Sequence, residues 1–222
     1  MTSDAASAKL SELDARLALI AASGEIGVAL SGGVDSLTLA AAAHAALADR
    51  AKMYHAQSPA VPPEATARVQ AMAAARGWRL EVFDAGEFAR ADYLANPLDR
   101  CFHCKTSLYA SIRARSAAQL LSGTNLDDLG EYRPGLRAAA EHGVRHPFVE
   151  VGADKDSVRA MARALGLGEV AELPAAPCLS SRVETGIAID AATLALVHAS
   201  ERLIGAAVAA RTVRCRVRAT GV

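Results

Sequence analysis

Residues 28–36 run Val28-Ala29-Leu30-Ser31-Gly32-Gly33-Val34-Asp35-Ser36, an apolar stretch feeding a Ser-Gly-Gly turn. Two glycines let the backbone turn tightly and approach a ligand closely, and a helix is expected from Val34. Backbone N–H groups at such a turn, with a helix N-terminus behind them, form a cradle for anionic oxygens. Ser31 and Ser36 add hydroxyl donors, and Asp35 is placed to hold Mg²⁺ against phosphates. Ser31, Gly32, Gly33, Val34, Asp35 and Ser36 are therefore the expected nucleotide contacts. Neither G-x-x-x-x-G-K-[ST] nor a G-x-G-x-x-G following a strand occurs. The alternative is a Gly-Gly turn without a ligand.

Sulfur supplies the second chemistry, through four cysteines. Cys101 and Cys104 lie in Cys-Phe-His-Cys, followed by Lys105. That spacing suits zinc, an iron–sulfur cluster or a redox pair, with an inert pair as the alternative. A closed four-cysteine zinc site is not available from one such pair. Cys178 stands between Pro177 and Leu179-Ser180-Ser181-Arg182. A cysteine framed by proline, hydroxyls and a cation is a candidate for a lowered pKa and nucleophilic work. Cys215, inside an apparent strand, reads as inert packing.

The elements that must position these groups alternate. Leu10, Leu13, Leu17 and Ile20 recur at helical spacing and predict a first helix over 6–22, ended by Gly24. Strands are expected at Ile26–Leu30, Lys52–Gln57, Arg79–Asp84 and Leu120–Gly123. Helices are expected from Val34 to Leu47, over Glu64–Arg76 (closed by Gly77), Pro134–Glu141, Lys155–Leu165 and Ala191–Leu203. Alternating strands and helices imply an α/β fold with a doubly wound parallel sheet. Ligands in such sheets sit outside the carboxyl ends of the strands, so Ser31, Ser58 and Gly123 should line one crevice. Around Pro174 the composition stiffens, which divides the chain into a nucleotide domain at 1–173 and a carboxy-terminal segment at 174–222. That segment closes with a basic, strand-like stretch, Arg211–Arg218.

Composition narrows the class. The chain has 222 residues, 52% hydrophobic and 22% charged, the balance of a folded protein with one good core. Lys+Arg and Asp+Glu both number 24, so nothing argues for a general nucleic-acid surface. No run of about 18 uncharged apolar residues predicts a membrane span. The start, Met1-Thr2-Ser3-Asp4, lacks a basic signal-peptide region, so a cytoplasmic address is expected. In a reducing compartment the cysteines point to metal binding or catalysis more than to disulfides.

Several segments together resemble one family. They are Ser31–Ser36, Arg100-Cys101-Phe102-His103-Cys104-Lys105, Gly123-Thr124-Asn125-Leu126-Asp127-Asp128, Glu131-Tyr132-Arg133-Pro134-Gly135 and Pro177-Cys178-Leu179-Ser180-Ser181-Arg182. The first resembles the PP-loop of ATP pyrophosphatases, and the set resembles the LarE-type ATP-dependent sulfur transferases over residues 10 to 218. The resemblance implies an adenine nucleotide alpha-hydrolase-like fold and a part in making the nickel-pincer nucleotide. In that family ATP adenylates a carboxylate of pyridinium-3,5-biscarboxylic acid mononucleotide with loss of pyrophosphate, and sulfur then displaces AMP. In one branch the cysteine matching Cys178 gives up its own sulfur. In another, three cysteines hold a [4Fe–4S] cluster, which the set Cys101, Cys104 and Cys178 matches.

The resemblance further assigns Ser31, Gly32, Gly33 and Ser36 to the departing pyrophosphate, with Asp35 organising Mg²⁺. Ser58 and Gly123 would contact adenosine, and Arg182 would stabilise developing charge beside Cys178. Ser180, Glu201, Arg214 and Arg216 would bind the nucleotide substrate. Arg133 would orient that substrate or form a surface salt bridge. Asp127 and Asp128 read equally as a helix cap and as metal ligands, and His146 as structural. The family continues some tens of residues past the position of Val222, which implies a truncated carboxy-terminal part here. Family members are oligomers, so a homo-oligomer is expected. Ammonia-using PP-loop synthetases need no cysteine cluster. A tRNA thiolation enzyme should be strongly basic, and a nucleotide-sensing module should bind ATP without releasing pyrophosphate.

Overall fold

A computed structural model describes residues 3–130, 132–208, 210 and 212–221. Met1 and Thr2 of the expected start, Glu131 of the Tyr-Arg-Pro-Gly segment and Arg211 of the basic stretch lie outside the described residues. The chain runs α1 (Ser3–Ile20), β1 (Ile26–Leu30), α2 (Val34–Leu47), β2 (Ala51–Ala56), α3 (Pro63–Arg76), β3 (Arg79–Phe83), α4 (Ala91–Leu94) and α5 (Arg100–Arg113). It continues through β4 (Gln119–Leu121), α6 (Pro134–Glu141), α7 (Pro147–Glu150), α8 (Lys155–Ala164), α9 (Gly168–Ala171) and α10 (Ala191–Ala207).

The four strands form one parallel sheet in the order β3-β2-β1-β4. Strand β1 is buried along its whole length, and its alternate residues feed two layers. Ile26, Val28 and Leu30 join Leu13 and Leu17 of α1, Leu37 and Leu39 of α2, Val69 of α3 and Val158 and Met161 of α8. On the opposite face Ala29, Tyr54, Phe83 and Leu120 pack with Tyr109 and Ile112 of α5 and Ala139 of α6. Gly27 faces this second layer, where a Cβ would come within 3.0 Å of both Leu120 and Tyr54. The sheet is thus doubly wound, as the alternation of elements predicts. Its order reverses at β1, with β2 and β3 to one side and β4 to the other. The carboxyl ends of β1 and β4 therefore open onto the ligand crevice of such folds.

A third apolar cluster joins Ala60 and Tyr93 to Leu179, Val183, Ile189, Leu194 and Val197. It seats α10 and the segment before it on the loops at the carboxyl end of the sheet. Three differences from the sequence expectations bear on the site. Helix α5, which carries Cys101 and Cys104, lacks a strong apolar period, and its buried residues are Ser107, Tyr109 and Ile112. Strand β4 stops at Leu121, so Ser122 and Gly123 belong to its exit loop. Residues 212–218 form no strand among the described residues: Val217 bridges Val183, and Arg218 bridges Gly221. The period-2 pattern survives, with Val213, Cys215 and Val217 half-buried and the arginines between them exposed. A longer ladder would need a neighbouring strand edge, and Val183 alone is offered.

Candidate functional site

The turn after β1 is shaped by Gly32, whose φ is +80° and whose added Cβ would lie 2.9 Å from the Ala65 carbonyl oxygen. A side chain there meets backbone strain and α3 together. Ser36, buried, organises the turn from inside. Its Oγ accepts from the Ser31 N–H at 3.1 Å, donates to the Gly33 carbonyl at 3.1 Å and meets Ser31 Oγ at 3.1 Å. From α3, Arg68 Nη1 donates to the Gly32 carbonyl at 2.8 Å. Val34, Asp35 and Ser36 open α2, where the first N–H groups have no intrahelical acceptor. Gly123 crosses directly above: a Cβ there would stand 2.8 Å from the Asp35 carbonyl carbon and the Ser36 nitrogen. Ser58, half-buried in the loop after β2, accepts the Ala60 N–H at 3.3 Å.

Asp35 is held from two sides. Its Oδ2 accepts from Lys155 Nζ at 2.5 Å and its Oδ1 from Asn125 Nδ2 at 3.2 Å. Asn125 is buried, and its backbone N–H donates to Asp128 Oδ2 at 3.1 Å. Asp127 Oδ2 accepts the Lys155 backbone N–H at 3.1 Å, so it supports the start of α8. Arg133 pairs with Asp128 at 2.9 Å. Beneath the turn, His55 is fully buried, with Nδ1 3.1 Å from the Leu30 carbonyl and Nε2 2.9 Å from Thr66 Oγ1. Since the carbonyl can only accept, Nδ1 carries the proton and Thr66 donates to Nε2. Burial holds His55 below the ordinary histidine range, which keeps the ring neutral. Sequence patterning offered no signal for His55 or Arg68, and none for the contacts of Asn125 and Lys155 with Asp35, whose partners lie 11 to 120 residues away.

The thiols of Cys101, Cys104 and Cys178 share one electrostatic neighbourhood. Cys101 and Cys104 occupy successive turns of α5, and Cys178 immediately precedes the 3₁₀ turn at Leu179–Arg182. Burial first, and then the neighbouring Cys178, push the Cys104 thiol up to about 12 against the opposing charge of Lys105. Cys178 is exposed at the surface, and desolvation by its surroundings pushes its thiol up against the opposing pull of Arg100. The lowered pKa expected for Cys178 is thus corrected: desolvation outweighs the neighbouring guanidinium groups. Lys105 interacts with all three thiols, and its charge also reaches His146, which contacts Ser122 at 2.8 Å beside Gly123. His146 is held down mainly by burial.

Arg182 is buried, and its guanidinium is turned onto protein acceptors. Its guanidinium grips Glu201 with two contacts of 2.9 and 3.1 Å and donates to the carbonyls of Pro177 and Cys178 at 2.6 and 3.2 Å. Glu201 also accepts the Cys215 N–H at 3.1 Å. Ser180 is fully buried, its hydroxyl 2.7 Å from Tyr93 Oη. Both residues therefore fix the Cys178 segment. Arg214 donates to the Ala175 carbonyl at 3.0 Å, while Arg216 lines a cleft of about 250 Å³ with Ser181, Glu184 and Arg218.

Among the described residues no three His, Cys, Asp or Glu side chains stand close enough to share a single metal ion. Cys101, Cys104 and Cys178 are the thiols that influence one another electrostatically, with Lys105 beside them. Among the described residues, no helix is long and apolar enough to cross a membrane.

No protein-family model matches the chain. It is 38% identical over 178 residues to an uncharacterised protein of Synechocystis sp., covering 78% of this chain and 66% of that protein. A shorter match, 30% identical over 95 residues, is to an uncharacterised protein of Methanocaldococcus jannaschii and covers 41% of this chain and 36% of that one. Across 184 residues, 81% of its length, the chain is 29% identical to the pyridinium-3,5-bisthiocarboxylic acid mononucleotide synthase of Lactiplantibacillus plantarum, of which it spans 66%.

Proposed function

We propose that this chain is an ATP-dependent sulfur transferase that converts a nucleotide-borne carboxylate into a thiocarboxylate, with the pyridinium-3,5-biscarboxylic acid mononucleotide as substrate. The Ser-Gly-Gly turn opening α2, with the Gly123 loop resting on it, carries this reading, and the electrostatic coupling of Cys101, Cys104 and Cys178 with Lys105 supports the sulfur step. The 29% identical synthase supports the substrate class.

In the proposed reaction a substrate carboxylate oxygen attacks the α-phosphorus of ATP, the bond to the β-phosphate breaks, and pyrophosphate leaves. Sulfur then attacks the acyl carbon, and the bond to AMP breaks. The open N–H groups of α2 and the Ser31 hydroxyl bind pyrophosphate oxygens, while Asp35 holds Mg²⁺. Ser58 and Gly123 border the adenosine. Arg216 offers a guanidinium to the substrate phosphate. Arg182 acts by fixing the Cys178 backbone rather than by touching substrate. Cys101, Cys104 and Cys178 would hold a [4Fe–4S] cluster, which would supply the sulfide for transfer.

The test is anaerobic reconstitution followed by iron and acid-labile sulfide analysis, beside pyrophosphate release from ATP and the biscarboxylic nucleotide. About four iron and four sulfide per chain, lost in Cys101→Ala, is the expected result. An iron-free protein after reconstitution would sink the cluster, and ATP turnover unaffected by the carboxylate would sink the transferase.

A further inference from the structure

Asp35 already carries a cation. Lys155 Nζ sits 2.5 Å from Oδ2, on the carboxylate that the reading above assigns to Mg²⁺. Lys155 opens α8, and its base is fixed in two ways. Its own backbone N–H donates to Asp127, and the preceding residue, Asp154, caps the helix through the Ser157 N–H at 2.8 Å. The ammonium therefore swings on a four-carbon stem from a rigid anchor. Asn125 keeps the other oxygen, Oδ1, at 3.2 Å, so the ammonium occupies the side of the carboxylate left to a metal. Both members of the pair are about one-third exposed or less, at 33% and 26%, so the ammonium is accessible to an incoming ligand.

An ammonium 2.5 Å from Oδ2 repels a divalent metal arriving on the same oxygen. Mg²⁺ demands short, near-octahedral oxygen contacts, so its arrival on Oδ2 favours a conformer in which Nζ has moved away. A displaced ammonium on a fixed anchor has a new anion close by: the phosphate chain that the metal brings. Lysine suits that exchange, since its charge is compact, its stem flexible and its donors freely rotating.

We propose that Lys155 is a nucleotide-binding residue: it holds the metal's place on Asp35 in the free protein, yields it to Mg²⁺ and turns onto the polyphosphate. This rests on the nucleotide half of the proposed function and not on the sulfur chemistry. Lys155 has two opposite effects in this scheme. It competes with Mg²⁺ for Asp35, and it supports the phosphate once Mg²⁺ is seated.

The experiment is calorimetric titration of the full chain with α,β-methylene-ATP, which cannot be split between its α and β phosphates, across a series of Mg²⁺ concentrations. Wild type, Lys155→Met, Lys155→Gln and Lys155→Arg are compared, with thermal melting of each as the fold control. In the two neutral variants the analogue should bind about tenfold or more weaker at saturating Mg²⁺, the loss of one charge-assisted contact. The same variants should reach half-saturation at a lower Mg²⁺ concentration, because a competitor is gone. Lys155→Arg should recover most of the affinity. A merely structural lysine would lower melting temperature and affinity without moving the Mg²⁺ midpoint. That result, or neutral variants that bind like wild type, overturns the assignment while the nucleotide site stands. A wild-type chain that binds no analogue at any Mg²⁺ concentration overturns both.

Discussion

Single residues in this molecule divide into those that offer an atom to a ligand and those that hold the offer still. Arg182 and Glu201 belong to the second kind. Their paired contacts are almost fully desolvated, with side-chain exposures of 7% and 12%. Removing one partner leaves the other charge buried and frees the carbonyls of Pro177 and Cys178. Arg182→Ala is therefore expected to cost about 3–5 kcal/mol in denaturant unfolding, far more than an exposed pair. His55 gives a pH signature. Burial lowers its native pKa below the ordinary histidine value of 6.5, so the unfolded chain binds the extra proton first. Stability then rises with pH through this window and is lost progressively as pH falls below that value. His146 is lowered the same way and adds to the slope. Replacing His55 by Gln should flatten, without abolishing, the fall in melting temperature between neutral pH and the acid range.

At the scale of elements, the site depends on how closely loops approach helix ends. Gly123 shows this best, because the loop after β4 rests on the first turn of α2 with no room for a methyl group. Gly123→Ala should destabilise by about 1–3 kcal/mol through overpacking and should weaken nucleotide binding, both readable by unfolding and calorimetry. Asn96 plays the same part for the sulfur segment. It is buried with φ of +53°, and its side-chain amide donates to the carbonyls of Glu184 and Ile187 at 2.9 Å each. Its Oδ1 accepts from Arg100 at the start of α5. Asn96→Ala should cost about 1–3 kcal/mol by leaving the part-buried carbonyls of Glu184 and Ile187 without a donor, readable by denaturant unfolding.

These elements were legible in the sequence to unequal degrees. The range Ile26–Leu30 and the start of α2 at Val34 follow from an apolar run and a Gly-Gly turn, both local signals. Helix α5 escaped notice because Arg100-Cys101-Phe102-His103-Cys104-Lys105 puts polar and reactive groups where a core stripe would normally read. The pairing of Lys155 and Asn125 with Asp35 escaped for another reason. Their relation to Asp35 exists only once α2 and α8 pack together, and no short-range pattern encodes an ion pair 120 residues long.

For the whole molecule, the two parts of the chain share apolar surface rather than a hinge. Ala60 and Tyr93, from the first part, lie in one cluster with Leu179, Val183, Leu194 and Val197. The Leu179 N–H also donates to the Ala60 carbonyl at 2.9 Å, and Tyr93 meets Ser180. A chain ending at residue 173 would expose that patch and leave the Tyr93 hydroxyl without Ser180. It is expected to bind a hydrophobic dye and to run as aggregates in size exclusion with light scattering, while the full chain does neither.

The grip of Arg182 on the Pro177 and Cys178 carbonyls has a kinetic meaning. A carrier group that commutes between donor and acceptor needs a swinging arm, as lipoyl and biotinyl groups have. Here the backbone on both sides of Cys178 is pinned, so a cluster held through Cys178, as proposed above, would stay in place. In that reading the acceptor would come to the sulfur, and a substrate with two carboxylates would leave and return, or turn over in place, between its first and second sulfur.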